Sequence, residues 1–342
     1  ASALGSWQIS TKQNAAILEL LQGTIPFCRA QPSEDWSRGR KTLYDTISSF
    51  HSNDVVVGDV SNCNNVVARQ VRNEHISLPS TAGILDPCTA LCPERQRVLK
   101  DMRQIIKPEE QWPDPLPRPC FMVDPAEEQG LRLRLVGCGL ASLLAENEVP
   151  TDSYGRKLLA GVFAVPHKSN SDRLIFDRRP QNATEHRLQW CTLPHGSQLT
   201  QIRLKANEHV RGSGDDLSNY FYLLSHQPNW RSRSAFGRVF SGADAAALGG
   251  DPGTRYHLCL NVVAMGDLNS VDVAQATHEG VLTASGCLAA AEKLEYGNPV
   301  PRSSVWEGVY VDDHLVVGIV PKHKVAAVYY THLRAHETQF DL

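Results

Sequence analysis

The pattern of apolar and polar positions changes period several times along the chain, and these changes outline its elements. Thr11 precedes an apolar series (Ala15, Ile17, Leu18, Leu20, Leu21) closed by Gly23, which predicts a short capped helix. Polar sequence follows, and Asp54–Asn65 reads as a strand and a loop. Pro93 opens a helical stretch over Glu94–Ile106, with Val98, Met102 and Ile105 at helical spacing. The proline-rich connector Pro108–Pro119 is the clearest boundary signal. Beyond it, Pro125–Glu148 reads as an amphipathic helix. Leu158–Val165 and Arg173–Asp177 read as the strands of a hairpin turning through His167–Asp172. Helices are predicted again at Ser218–Ser225 and Ser270–Leu282. Near the end, Val309–Val311 and Leu315–Val320 are β-branched apolar runs separated by Asp312, Asp313 and His314. The mixture predicts an α+β chain.

Composition narrows the class. Of 342 residues, 42% are hydrophobic and 21% charged, as in a globular chain rather than a disordered or collagen-like one. No run approaches the length of a membrane span, so no membrane partner is expected. Ala1–Trp7 carries neither the basic region nor the apolar run of a secretory signal, and begins without Met, which is expected of a fragment. The nine cysteines are scattered, with only Cys88 and Cys92 close together, so reduced thiols in an intracellular protein of nucleus or cytoplasm are expected. The formal charge is −3, but residues 151–240 hold 13 Lys/Arg against 7 Asp/Glu. A basic block of that kind fits a polyanion-binding face and also an ordinary solvated surface.

The sharpest chemical signal is Tyr310–Val311–Asp312–Asp313, two adjacent carboxylates at a turn between apolar strands. Neighbouring carboxylates repel unless a cation lies between them, and hard oxygen ligands suit magnesium. The alternative is an ordinary hairpin turn, where Asp is common. Upstream, in order, run Arg173–Leu174–Ile175–Phe176–Asp177–Arg178–Arg179–Pro180–Gln181–Asn182, then Asp216–Leu217–Ser218 with Phe221, then Met265–Gly266 and the stretch to Gln275.

This ordered set resembles the reverse transcriptases of retroelements. There a basic fingers strand (R-x-x-x-D-x-R-x-x-N) precedes the first palm aspartate, a glycine-containing helix start and a Y-x-D-D hairpin. Arg173–Asn182 and Arg211–Leu224 also resemble the divergent reverse-transcriptase-like open reading frames of dinoflagellate algae. The resemblance spans about Pro119 to Val320. It implies right-hand polymerase fingers over 119–211 and a palm, an antiparallel sheet with packed helices, over 212–325. These follow an N-terminal extension, 1–118, of unassigned role. The implied parent is an RNA-directed DNA polymerase, a nucleotidyltransferase, with primer–template nucleic acid (RNA or DNA) and deoxynucleoside triphosphates as partners. Its oligomeric state is left open. Asp216, Asp312 and Asp313 would hold two magnesium ions, with manganese as the substitute. Arg173 and Lys168 would grip the triphosphate, Phe221 would lie under its sugar, and Met265 and Gly266 would border the nascent base pair. Asn182, Arg179 and Gln275 would touch nucleic acid. His195 reads as a turn histidine.

Three features depart from the pattern. The approach to Asp216, Arg211–Gly212–Ser213–Gly214–Asp215, is polar and glycine-rich, which leaves Asp215 as a competitor for the metal role. The family pattern continues with a thumb and an RNase H region, which the residues after the hairpin are not expected to supply. The tail, 326–342 and above all Tyr330–Leu342, resembles translated sequencing-adaptor read-through more than a terminal helix. The alternative reading is therefore a catalytically decayed palm-like module that binds nucleic acid.

Overall fold

The structure is a computed structural model and describes residues 68–168 and 170–324. The helix expected after Thr11, the strand at Asp54–Asn65 and the tail lie outside the described residues. Contacts divide the chain between Asn65 and Val66, and every described residue belongs to the second unit. None of the described helices is long and apolar enough to cross a membrane.

Among the described residues, eight strands form three small antiparallel sheets, which makes the chain α+β. The first helix, α1 (Pro93–Lys100), starts at Pro93 and gives way to a short 3₁₀ turn, Met102–Gln104, so the stretch expected to run to Ile106 is broken. The next, α2, covers Pro125–Gly137, with Asp124 accepting from the Ala126 N–H at 2.9 Å at its start. The expected helix to Glu148 ends early. Gly139 turns the chain at φ 81°, and Ala141–Ala145 becomes strand β1.

Strands β2 (Gly161–Lys168) and β3 (Ser171–Asp177) form the expected hairpin, in register from Gly161↔Asp177 to Val165↔Arg173. After the short α3 (Arg179–Ala183) comes β4 (Glu208–Asp216), where the sequence reads as a loose polar lead. Its pairing partner explains the difference: all nine residues align with the apolar β8 (Asp313–Pro321). A one-turn helix, α4 (Tyr220–Leu223), follows, then β5 (Ala235–Phe240), α5 (Gly242–Ala245) and β6 (Tyr256–Leu260). The long α6 (Ser270–Ala284) precedes β7 (Val305–Tyr310).

The sheet order β4-β8-β7 puts the strand that leaves the Asp-Asp turn between β4 and β7, while β1-β6-β5 and the β2–β3 hairpin are separate sheets. Residues from both sides of the 108–119 connector share cores. Val71 and Ile76 pack with Leu135, Phe176 and Leu260; Leu99, Met102 and Ile105 pack with Tyr220, Val273 and Val311. The described part of the N-terminal stretch thus supplies core, and it braces α6 and the hairpin tip.

Candidate active site

Antiparallel register carries two distant carboxylates to one place. Asp216, the last residue of β4, is the direct cross-strand partner of Asp313, the first of β8. The next residue tightens the junction, as the Leu217 N–H donates to the Asp312 carbonyl at 3.1 Å. Side chains alternate along a strand, so Asp215 and Asp216 point to opposite faces. Asp216 joins Asp312, Arg173, Phe221, Met265 and His167 around a cleft of about 190 Å³, whereas Asp215 pairs with His314 and is outside that lining. Asp313 lines a neighbouring cavity of about 240 Å³ with Tyr310 and His195, not the cleft that holds the other two aspartates.

The electrostatics follow from this crowding. Burial pushes the Asp312 carboxyl above its ordinary range, the negative charges of Asp313 and Asp216 push it further, and Arg173 pulls the other way. Two carboxylates thus share a partly desolvated wall facing one exposed guanidinium.

Phe221 reaches the cleft because its neighbours are anchored. Tyr220 donates its hydroxyl to the Ala274 carbonyl and Tyr222 to that of Leu174, both at 2.9 Å, and both rings are buried. The residue between them is turned outward. Met265 also lines the cleft, and Gly266 follows at φ 102°, where an added Cβ would lie 2.3 Å from the Phe176 carbonyl oxygen. Gly266→Ala is expected to destabilise the fold by about 2 kcal/mol, read by urea denaturation, because it adds both backbone strain and overlap. A change within error would show that this loop relaxes freely.

Three expected nucleic-acid contacts are engaged within the protein. The Asn182 amide donates to the Gly266 carbonyl at 2.7 Å and accepts from the Leu268 N–H at 3.1 Å, tying α3 to the segment that leads into α6. Gln275 has no exposed surface, so direct contact with nucleic acid is excluded; it bonds the hairpin tip instead. Arg179 grips Asp177 at 2.8 and 2.6 Å, though its side chain stays 60% exposed. Lys168 closes β2 opposite Ser171.

The sequence reading overlooked His278, whose ring Nδ1 lies 2.9 Å from the Val311 carbonyl oxygen, and Arg178, which is wholly buried. The signal for the first was its place three residues from Gln275, on the same face of one helix. Arg178 left no such signal, since Arg178–Arg179 reads as exposed basic sequence.

No protein-family model matches the chain, and no curated protein matches it. Solved structures are similar, among them the foamy viral protease-reverse transcriptase in complex with double-stranded DNA, at 14% identity and a TM-score of 0.31, with 87% of this chain and 38% of that one covered. The chain thus spans well under half the length of that neighbour.

Proposed function

We propose that the chain carries the fingers and palm of an RNA-directed DNA polymerase, which adds deoxynucleotides to a primer on an RNA or DNA template. The observation that carries this reading is the meeting of Asp216 and Asp312 on one cleft with Arg173 and Phe221, from three separate segments.

The donor set fits magnesium. Among the described residues no group of three or more His, Cys, Asp or Glu side chains is built to hold a metal ion. Magnesium is usually held by one or two carboxylates together with substrate phosphates, rather than by an all-protein cage. Asp216 and Asp312 would supply those carboxylates, with Asp313 adding negative charge from beside them. Bound magnesium would acidify the primer 3′-hydroxyl and neutralise charge on the triphosphate and departing pyrophosphate.

Around that centre the chain's own residues orient substrate. Arg173, exposed at the cleft, offers its planar fork to phosphate oxygens. Met265 and the close-packed Gly266 form the wall against which a base pair would rest. The exposed basic residues of segment 151–240 would face phosphate, so affinity for duplex is expected to fall as salt rises.

Primer extension tests the reading. A labelled primer on an RNA template, with magnesium and deoxynucleotides, should lengthen. Duplex binding without extension, in a chain continued past the hairpin, would instead support the decayed binding module. A finer expectation concerns Phe221, whose ring would exclude a 2′-hydroxyl. Phe221→Ala should reduce the preference for deoxy- over ribonucleotide by about tenfold or more, read as the ratio of kcat/KM values. Equal use of both sugars by the unaltered chain would remove the gate assignment.

A further inference from the structure

The tip of the Asp-Asp hairpin is held in an unfavourable conformation by two side chains of α6. Tyr310 and Asp313 are cross-strand partners, so Val311 and Asp312 are the two central residues of the turn. Val311 has φ 59°, while Asp312 is absent from the positive-φ residues. A positive φ at the first central position alone belongs to a type II′ turn, where glycine normally sits. Asn170, Gln189, Asn219 and Leu288 also have positive φ among the described non-glycine residues, but Val311 is the one β-branched side chain in that set. Branching at Cβ makes the left-handed region especially unfavourable, and such a residue persists only where its surroundings over-determine it.

The surroundings are specific. Gln275 Oε1 accepts from the Val311 N–H at 2.7 Å, and its Nε2 donates to the Val309 carbonyl at 2.8 Å and to Glu279 Oε1 at 2.8 Å. One carboxamide therefore bridges two backbone groups of the hairpin and is itself oriented by Glu279, which Lys293 holds at 2.9 Å. One turn further along α6, His278 Nδ1 lies 2.9 Å from the Val311 carbonyl oxygen. A carbonyl only accepts, so the hydrogen resides on Nδ1. Burial keeps this imidazole's pKa below its ordinary value, which favours the neutral ring. Both backbone polar groups of Val311 are thus satisfied by α6 instead of by a strand. The helix is a firm base, because Gly280 sits so close to the Ala90 carbonyl that a Cβ there would lie 2.1 Å from its oxygen.

We propose that Gln275 and His278 are positioning residues that clamp Val311 in its left-handed conformation and thereby set where Asp312 presents its carboxylate. The role in turnover rests on the polymerase reading; the clamp itself does not. Asp312 then has no freedom to choose another turn, since it is tied by its carbonyl to Leu217, the residue after β4, and through Val311 to α6.

A double substitution separates clamp from general packing. Gln275→Ala should lower kcat by on the order of tenfold or more and raise the magnesium concentration needed for half-maximal rate, with KM for the deoxynucleotide nearly unchanged. His278→Phe, which keeps a ring and deletes the donor, should act in the same direction. In a Val311→Gly background, where glycine adopts the conformation unaided, Gln275→Ala should lose less than about threefold. Amide hydrogen exchange at Val311 gives a second reading without turnover: strong protection in the unaltered chain, lost in Gln275→Ala. That measurement distinguishes the two ideas. Absence of polymerase activity with Val311 still protected through Gln275 defeats the function and leaves the clamp. An unprotected Val311 amide, or a Gln275→Ala loss equally large with Gly at 311, overturns the clamp.

Discussion

Asp312→Asn is expected to abolish magnesium-dependent primer extension, by on the order of a thousandfold, while leaving the fold more stable at neutral pH than before. The two effects have one origin. Burial, Asp313 and Asp216 all raise the pKa of the Asp312 carboxyl, so the folded chain holds a proton there that the unfolded chain has already released. In that window, which begins near an ordinary carboxylate pKa of about 3.9, stability falls as pH rises. Above the window the ionised side chain opposes folding unless a cation lies beside it. An uncharged amide removes the repulsion, so the melting temperature of Asp312→Asn should exceed that of the parent at pH 7, and the gap should close as pH falls below the window. Magnesium should raise the melting temperature of the parent and not of the variant, because the ion would bind the folded state through this carboxylate. Incorporation within a few fold of the parent, or equal stabilisation of both proteins by magnesium, would defeat the assignment of Asp312.

Much of this site could be read before any coordinates, and the reasons are physical. The β2–β3 and β7–β8 hairpins announce themselves because β-branched and aromatic residues cluster between turn signals, and α6 because its apolar positions keep a helical period. Strand β4 does not, since Glu208–Asp216 has two glycines and little apolar surface; it is a strand because β8 pairs with it throughout. That tertiary cause lies in another segment of the chain. The choice between Asp215 and Asp216 was likewise undecided until register fixed which face each occupies. Gln275 was visible as chemistry but misassigned, as a glutamine in an amphipathic helix reads as surface until its burial is seen. The core role of Val71 and Ile76 escaped for a different reason: isolated bridges have no period to detect.

Arg178→Met should destabilise the chain by about 3–5 kcal/mol, although no surface is altered. Arg178 directly follows β3, the strand that bears Arg173, and its side chain is fully buried between two acids: Nη2 lies 3.3 Å from Glu185 Oε1 and Nη1 lies 2.8 Å from Asp267 Oδ2. Arg233 stands 3.8 Å from the same Glu185 oxygen, so two guanidiniums balance two carboxylates. Removing one cation leaves a negative charge in the core without compensation, which is far worse than never having built the pair. Adding Asp267→Asn to Arg178→Met should therefore recover a large part of the loss, a non-additivity that simple cavity formation would not produce. Glu185 gives the pH signature. Burial, opposed by Arg178 and Arg233, pushes its carboxyl up to about 7, so stability is fully present near pH 4 and declines toward pH 7. Glu185→Gln should flatten urea-denaturation free energies across that range. The cluster also reaches the cleft, because Asp267 follows Met265 and Gly266, so loosening it should raise KM for the triphosphate before it lowers kcat. A loss under 1 kcal/mol in Arg178→Met, or an unchanged pH slope in Glu185→Gln, would show that these charges are screened by water and do not brace the two halves of the site.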